Sequence, residues 1–302
     1  MGLVTREETV NQSRRTLDKW GELWESNCKV NRANFRKHEF DYKKKSEKCY
    51  LFSFGPSFES NLKNLIKTKE HYANHVGCVD KALGGLLKYS TIPHTVVTAD
   101  ARIRIDECLN GVDEGFAGVA LKTTHFFICA TSDPSWILFC NKYGIKYTIF
   151  LNKDTIKSHH EFKKYFNVNR LDIEQDAILL PASVNVGNCL YMIHALIYNF
   201  SHIFLLGYDY SFQYKSRYYG MESFAPVHRD FGRDKRILEA HTVVPDLTGA
   251  LVYTSQNLLF SAKWLVDAID KLFRGRKCFT YNLTGAGIVT IPMKLTFLEA
   301  KE

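Results

Sequence analysis

The stretch Ala182–Phe212, ASVNVGNCLYMIHALIYNFSHIFLLGYDYSF, decides the fold. A small-residue turn at Val186, Gly187 and Asn188 opens an apolar run whose spacing predicts a helix ending near Asn199 and Phe200. His202–Leu206 is short, β-branched and aromatic, which predicts a buried strand, and it runs into Gly207, Tyr208 and Asp209. Helix, short link and buried strand make half of a βαβ crossover unit. Ligands of open parallel sheets bind beyond the carboxyl ends of the strands. Asp209 is therefore the first candidate site residue.

The same grammar repeats on either side of that stretch. Cys49–Phe54, CYLFSF, predicts a buried strand and is followed by Gly55, Pro56 and Ser57 and then by the helical pattern of Phe58–Lys69. A strand, a glycine turn and a helix start bring backbone N–H groups and the positive end of a helix dipole to one spot, a place for phosphate or carboxylate. An ordinary turn capped by Ser57 accounts for the same residues. No Gly-Lys-Ser/Thr follows and the turn is not GxGxxG, so neither nucleotide fingerprint is present. Val76–Val79 ends in Asp80, Thr95–Ala99 in Asp100, and Phe126–Ala130 in Thr131, Ser132, Asp133 and Pro134. Asp80 and Asp133 read equally as helix caps. Asp100 reads as a ligand contact, because Arg102 and Arg104 follow it in place of an apolar helix face. Lys146–Leu151, Ala177–Leu180 and Lys277–Tyr281 are further strands, the last ending in the polar run from Asn282 to Gly287, and Gln256–Phe273 is a helix.

Strands alternating with helices predict an α/β, Rossmann-like, doubly wound and mostly parallel sheet, whose polar ends gather on one edge. Residues 1–48 read as a helical arm with a charged linker, with Trp20, Leu23 and Trp24 as its buried stripe, and residues 49–302 as the Rossmann-like domain. Within it, residues 213–254 show little apolar periodicity and carry Tyr214, Arg217, Tyr218, Tyr219 and His228. A long segment of that kind is expected to be a lid, with Arg suited to phosphate and Tyr to hydroxyl contacts; a surface insertion is the alternative. His159 and His160 lack metal-ligand spacing, and no metal is assigned to them.

Composition narrows the class. Of 302 residues, 45% are hydrophobic and 24% charged, which excludes disordered, collagenous and coiled-coil chains. No run reaches the roughly 18 to 20 apolar residues of a membrane span, and Met1–Val10 is charged where a signal peptide is apolar. The eight cysteines form no CxxC pair and sit mostly in apolar segments, as free buried thiols do. A soluble, cytoplasmic protein is expected. The net charge of +8 is spread thinly apart from Lys43, Lys44 and Lys45, so it does not form the basic stripe of a nucleic-acid binder.

Three motifs in order carry a family resemblance: Gly55-Pro56-Ser57 after a strand, the acidic strand ends at Asp80, Asp100 and Asp133, and the turn, helix and strand of Ser183–Phe212 ending in Gly207-Tyr208-Asp209. Together they resemble the motility accessory factors, the archaeal 6-hydroxymethylpterin diphosphokinase MptE-like family and the bacterial family 42 sialyltransferases, over roughly residues 49–290. The resemblance implies a transferase that takes a sugar, of the nonulosonic or sialic type, from a nucleotide-activated donor, CMP-sugars above all, to an acceptor hydroxyl on a glycan, protein or small molecule. It implies that Gly55, Pro56 and Ser57 hold the donor nucleotide or its phosphate, that Asp209 lines the site, that Tyr214, Tyr218 or Tyr219 meets the donor phosphate, and that His228 is the general base. The strand-end rule places Asp80, Asp100 and Ser132 beside them, and Arg217 of the expected lid suits a phosphate. The sequence departs from the pattern at Phe54, where many relatives carry Asn. The diphosphokinase branch implies instead ATP with Mg²⁺ held by Asp100 and Asp209. A third reading is a nucleotide-binding protein without turnover.

Overall fold

Short runs of β-branched and aromatic residues become strands that bury both faces. The computed structural model describes residues 6–38, 46–109, 111–153, 165–166, 176–181, 185–213, 241–246, 248–274, 278–285 and 287–289. Eight strands, β1 (Lys48–Phe52), β2 (His75–Val79), β3 (Thr95–Thr98), β4 (His125–Cys129), β5 (Tyr147–Asn152), β6 (Ala177–Leu180), β7 (His202–Leu206) and β11 (Phe279–Asn282), form one sheet in the order β11-β7-β1-β2-β3-β4-β5-β6. The strands β8 (Phe212–Gln213), β9 (His241–Pro245) and β10 (Leu251–Ser255) form a small antiparallel sheet in the order β8-β10-β9. The helices are α1 (Arg6–Asn34), α2 (Phe58–Thr68), α3 (Glu70–Ala73), α4 (Leu83–Lys88), α5 (Ile105–Leu109), α6 (Glu114–Ala120), α7 (Ser135–Tyr143), α8 (Val186–Met192) and α9 (Gln256–Phe273). In the large sheet β7 pairs in parallel with β1 and β11, and β3, β4 and β5 pair in parallel with their neighbours through to β6. Every residue of β2 and β4 is buried, as expected for parallel strands covered on both faces.

The strand order contains one reversal. From β1 the order runs outward through β6 in sequence, and the chain then returns to the other side of β1 as β7. A reversal of this kind opens a crevice at the carboxyl ends of the two strands that flank it. Those ends are the residues after Phe52 and after Leu206.

The described residues divide between two compact units, one drawn from those within Lys44–Val76 and Tyr198–Glu302, the other from those within Thr5–Lys43 and Gly77–Ile197. In the first, α2 buries Phe58, Leu62 and Leu65 at helical spacing and stops at Lys69, whose φ of 61° turns the chain and whose N–H bonds to Ile66. α9 starts at Ser255, whose side chain caps Leu258 N–H at 3.3 Å. In the second, α7 follows Pro134 and ends at Gly144, with φ of 68° and its N–H on Cys140. Seven of the eight cysteines are buried and all are free. Burial pushes the thiols of Cys49, Cys78, Cys140 and Cys189 well up, which keeps them protonated.

Three expectations change. After Arg104 the chain forms α5 and α6; these helices are short, and α6 buries Ala117 and Gly118 while Phe116 and Val119 are exposed, so no apolar period marks them. The end of the irregular stretch, residues 241–254, is strand: His241–Pro245 and Leu251–Ser255 pair around a turn in which the Asp246 carboxylate accepts from the N–H groups of Thr248 and Ala250. The helix of the opening stretch is α only through Met192 and continues as a π turn over Ile193–Ile197, before Asn199 at φ of 54°.

Gly84 illustrates packing overriding propensity. A Cβ there would lie 2.4 Å from the carbonyl oxygen of Cys108 and 2.8 Å from that of Leu109. Gly84→Ala gains helix propensity of about 1 kcal/mol, yet the clash dominates. Urea unfolding of this variant is expected to show a net loss of about 1–3 kcal/mol; an increase in stability would show that α4 is free to move off α5.

Candidate functional site

Beyond the carboxyl ends of β1 and β7, the ladder continues past the strands. Ser53 N–H bonds to Leu206 at 2.9 Å and Gly55 N–H to Gly207 at 2.9 Å. Glycine is required at both positions. Gly207 has φ of 68°, and a Cβ on it would sit 2.4 Å from the Ser53 carbonyl oxygen; a Cβ on Gly55 would fall 2.1 Å from Asp209 Oδ2. Behind Asp209, Gly287 has φ of 85°, and a Cβ there would lie 2.5 Å from Asp209 Cα. Ile288 N–H closes that side by bonding the Asp209 carbonyl at 2.9 Å.

Asp209 is 2% exposed, and its Oδ2 accepts from Ser57 Oγ at 2.8 Å and from Ser57 N–H at 3.2 Å. Ser57 precedes α2 but makes no side-chain cap; its hydroxyl faces Asp209 at 2.8 Å and Asn61 Oδ1 at 3.2 Å. Asn61, one helical turn on, is the hub that sequence reading missed. Its Oδ1 accepts from Gly207 N–H at 2.9 Å, while its Nδ2 donates to the carbonyls of Leu283 at 3.2 Å and Thr284 at 3.4 Å. One buried amide thus joins α2 to the turns after β7 and β11. The signal was an Asn at the i+4 position of Ser57 on the apolar side of a helix. Burial pushes the Asp209 carboxyl up to about 6, against the two Ser57 hydrogen bonds, and the Asp246 charge adds to the rise.

The second unit carries its own cluster at the ends of β2, β3 and β4. Asp80 is 1% exposed; its Oδ1 accepts from Lys81 N–H at 2.8 Å and its Oδ2 from Thr98 Oγ1 at 3.1 Å. Asp100, half-buried, accepts from Arg102 N–H at 2.9 Å. Ser132 is fully buried, and its hydroxyl donates to the Thr98 carbonyl at 3.2 Å. Asp133 caps α7 by accepting from Ser135 N–H at 2.9 Å. The buried face of α1 includes Trp24, Asn27, Cys28 and Asn31. Asn27 Nδ2 reaches the carbonyls of Ala101 at 2.9 Å and Thr131 at 3.1 Å, and Asn31 Nδ2 those of Ala130 at 2.9 Å and Ser132 at 2.8 Å. The arm is thus tied to the strand-end loops by two asparagines that its aromatic stripe did not announce.

Tyr214, Arg217, Tyr218, Tyr219, His228, His159 and His160 lie outside the described residues. Among the described residues, no three His, Cys, Asp or Glu side chains are grouped to hold a metal ion, and no helix is long and apolar enough to cross a membrane.

A mostly parallel α/β sheet, with glycine turns and buried carboxylates beyond its strand ends, defines the class of Rossmann-like α/β folds. Within that class, the chain belongs to the 6-hydroxymethylpterin diphosphokinase MptE-like family, whose family model matches residues 24–215. The fold is similar to the MAf glycosyltransferase from Magnetospirillum magneticum AMB-1, with a TM-score of 0.59 at 15% identity over 99% of this chain. This chain spans 39% of the length of that protein. No curated protein matches the sequence.

Asp80 gives a direct test of the electrostatics. Burial, aided by the Asp100 charge and opposed by Lys81 and Thr98, lifts its carboxyl from 3.8 to about 6. With the folded pKa above the unfolded one, the buried charge costs nothing below the unfolded value, and its cost is complete once pH exceeds the folded value near 6. Asp80→Asn keeps an acceptor for Lys81 N–H and removes the charge. At pH 7.5 it is expected to be more stable than the parent by on the order of 1–2 kcal/mol in urea unfolding, the gain fading toward pH 4. A pH-independent loss would contradict the buried-charge account.

Proposed function

We propose that this chain is a transferase that binds a nucleotide-activated donor at the crevice between β1 and β7 and moves its sugar, of the nonulosonic or sialic type, to an acceptor hydroxyl. The observation that carries this reading is the buried Asp209 carboxylate, gripped by Ser57 between Gly55 and Gly287 at the reversal of the strand order. A carboxylate held at such a place is costly to the fold and is the kind of group that ligand sites retain. Family membership and the glycosyltransferase fold support the transferase class.

In the proposed reaction the acceptor oxygen forms a bond to the anomeric carbon as the bond from that carbon to the donor phosphate oxygen breaks. The nucleotide leaves with the electron pair. His228 takes the acceptor proton, a task suited to a base that titrates near neutrality, and Arg217 with Tyr214 or Tyr218 stabilises the departing phosphate.

The family's description favours one second reading, an ATP-dependent diphosphokinase using Mg²⁺. Of the two carboxylates that reading gives the ion, Asp209 fits it poorly, since it is 2% exposed and its Oδ2 already accepts from the Ser57 N–H and hydroxyl, and Asp100 accepts from Arg102 N–H. Melting curves with CMP, CDP, UDP, GDP and ATP, each with and without Mg²⁺, separate the readings. CMP is expected to raise the melting temperature without metal, by several degrees at a hundredfold excess over Kd, where binding contributes about 2.7 kcal/mol. Stabilisation by ATP with Mg²⁺ alone would assign the diphosphokinase reaction instead, and no response to any nucleotide would overturn nucleotide transfer.

A further inference from the structure

We infer that the Gly55–Ser57 turn is not the phosphate cradle of the donor site, because the Asp209 carboxylate is its resident anion, and that Asp209 thereby determines which ligand groups this end of the crevice accepts. The inference rests on the reading of the crevice as the ligand site and deepens it.

The donors of the turn itself, from Gly55 to Phe58, lead there. A turn between a strand and a helix binds phosphate through backbone N–H groups that the fold leaves open. In this turn none is open. Gly55 N–H bonds the Gly207 carbonyl at 2.9 Å, Pro56 has no N–H, Ser57 N–H bonds Asp209 Oδ2 at 3.2 Å, and Phe58 N–H bonds the Gly55 carbonyl at 3.0 Å. The Ser57 hydroxyl, the one side-chain donor, also faces Asp209, at 2.8 Å. The carboxylate therefore occupies the place and the donors that a phosphate oxygen would take.

Asp209 has little freedom to step aside. Gly55 and Gly287 press on it so closely that a Cβ on either would meet it at 2.1 Å or 2.5 Å, and its own carbonyl is pinned by Ile288 N–H. A phosphate brought to Ser57 would also meet a like charge in a buried setting, where screening is weak. A neutral hydrogen-bond donor, such as a ribose or sugar hydroxyl, meets no such barrier at a carboxylate.

Inorganic phosphate is the probe, because it carries no sugar or base. Phosphate affinity is measured by calorimetry for the full chain, for Ser57→Ala, for Asp209→Ala and for the double variant. Ser57→Ala is expected to leave the phosphate response of the parent unchanged within twofold. Asp209→Ala, with the resident anion removed, is expected to bind phosphate at least tenfold more tightly than the parent, and the gain to disappear when Ser57→Ala is added. Phosphate binding by the parent that weakens tenfold on Ser57→Ala would overturn the inference, as would an Asp209→Ala variant that folds and gains nothing. The comparison of parent with Ser57→Ala decides the matter even where Asp209→Ala does not fold. The nucleotide melting curves of the parent report separately on nucleotide transfer, so the two claims fail independently.

Discussion

A buried carboxylate must find inside the protein the hydrogen bonds that water would have given it, and the first unit is arranged around that need at Asp209. The Ser57 N–H and hydroxyl supply two of them. That grip sets where the chain after β1 turns, where α2 begins, and how near the turns after β7 and β11 come. Glycine at 55, 207 and 287 follows from the same requirement, since a Cβ at any of the three would strike a neighbour at under 3 Å. Asn61 then fixes the start of α2 to both later turns through one amide, whose oxygen accepts from Gly207 N–H and whose nitrogen donates to the carbonyls of Leu283 and Thr284.

Topology explains why the arrangement sits there. The strand order reverses between β1 and β7, and the crevice formed at such a reversal is where an open α/β fold has room for a ligand. Elsewhere the strand ends are closed with short bonds: the Thr98 hydroxyl donates to Asp80, the Ser132 hydroxyl to the Thr98 carbonyl, and Ser135 N–H to Asp133. In the second unit α1 contributes to that closure, with Asn27 and Asn31 four residues apart taking carbonyls from the loops after β3 and β4.

Much of this was legible in the sequence, and the reasons differ by element. The strands of the large sheet are dense in Val, Ile, Phe and Leu because both faces are buried, so they stand out as short apolar runs; α9 was legible to the residue because its apolar period is strong and Ser255 caps it. The helices α5 and α6 were missed because five and seven residues are too few to set a period against their glycines and charges. The hairpin of β9 and β10 carried a signal, His241–Pro245 and Leu251–Ser255 around an Asp-containing turn, which the charged residues before it obscured. Gly55, Ser57 and Asp209 were legible as strand-end residues by position, but not as partners. They are 152 positions apart for Ser57 and Asp209, and pairing at that distance is set by strand order, which no local pattern encodes. Asn61, Asn27 and Asn31 were illegible for a related reason: a buried amide on an apolar helix face declares its role only through the carbonyls it meets.

The central claim is that Ser57 and Asp209 form one coupled unit. A double-mutant cycle of Ser57→Ala and Asp209→Ala, read by urea unfolding at pH 7.5, measures that coupling without reference to any ligand. A hydrogen bond from a hydroxyl to a buried carboxylate predicts a coupling energy of about 1–3 kcal/mol. Additive effects, with a coupling indistinguishable from zero, would contradict the account.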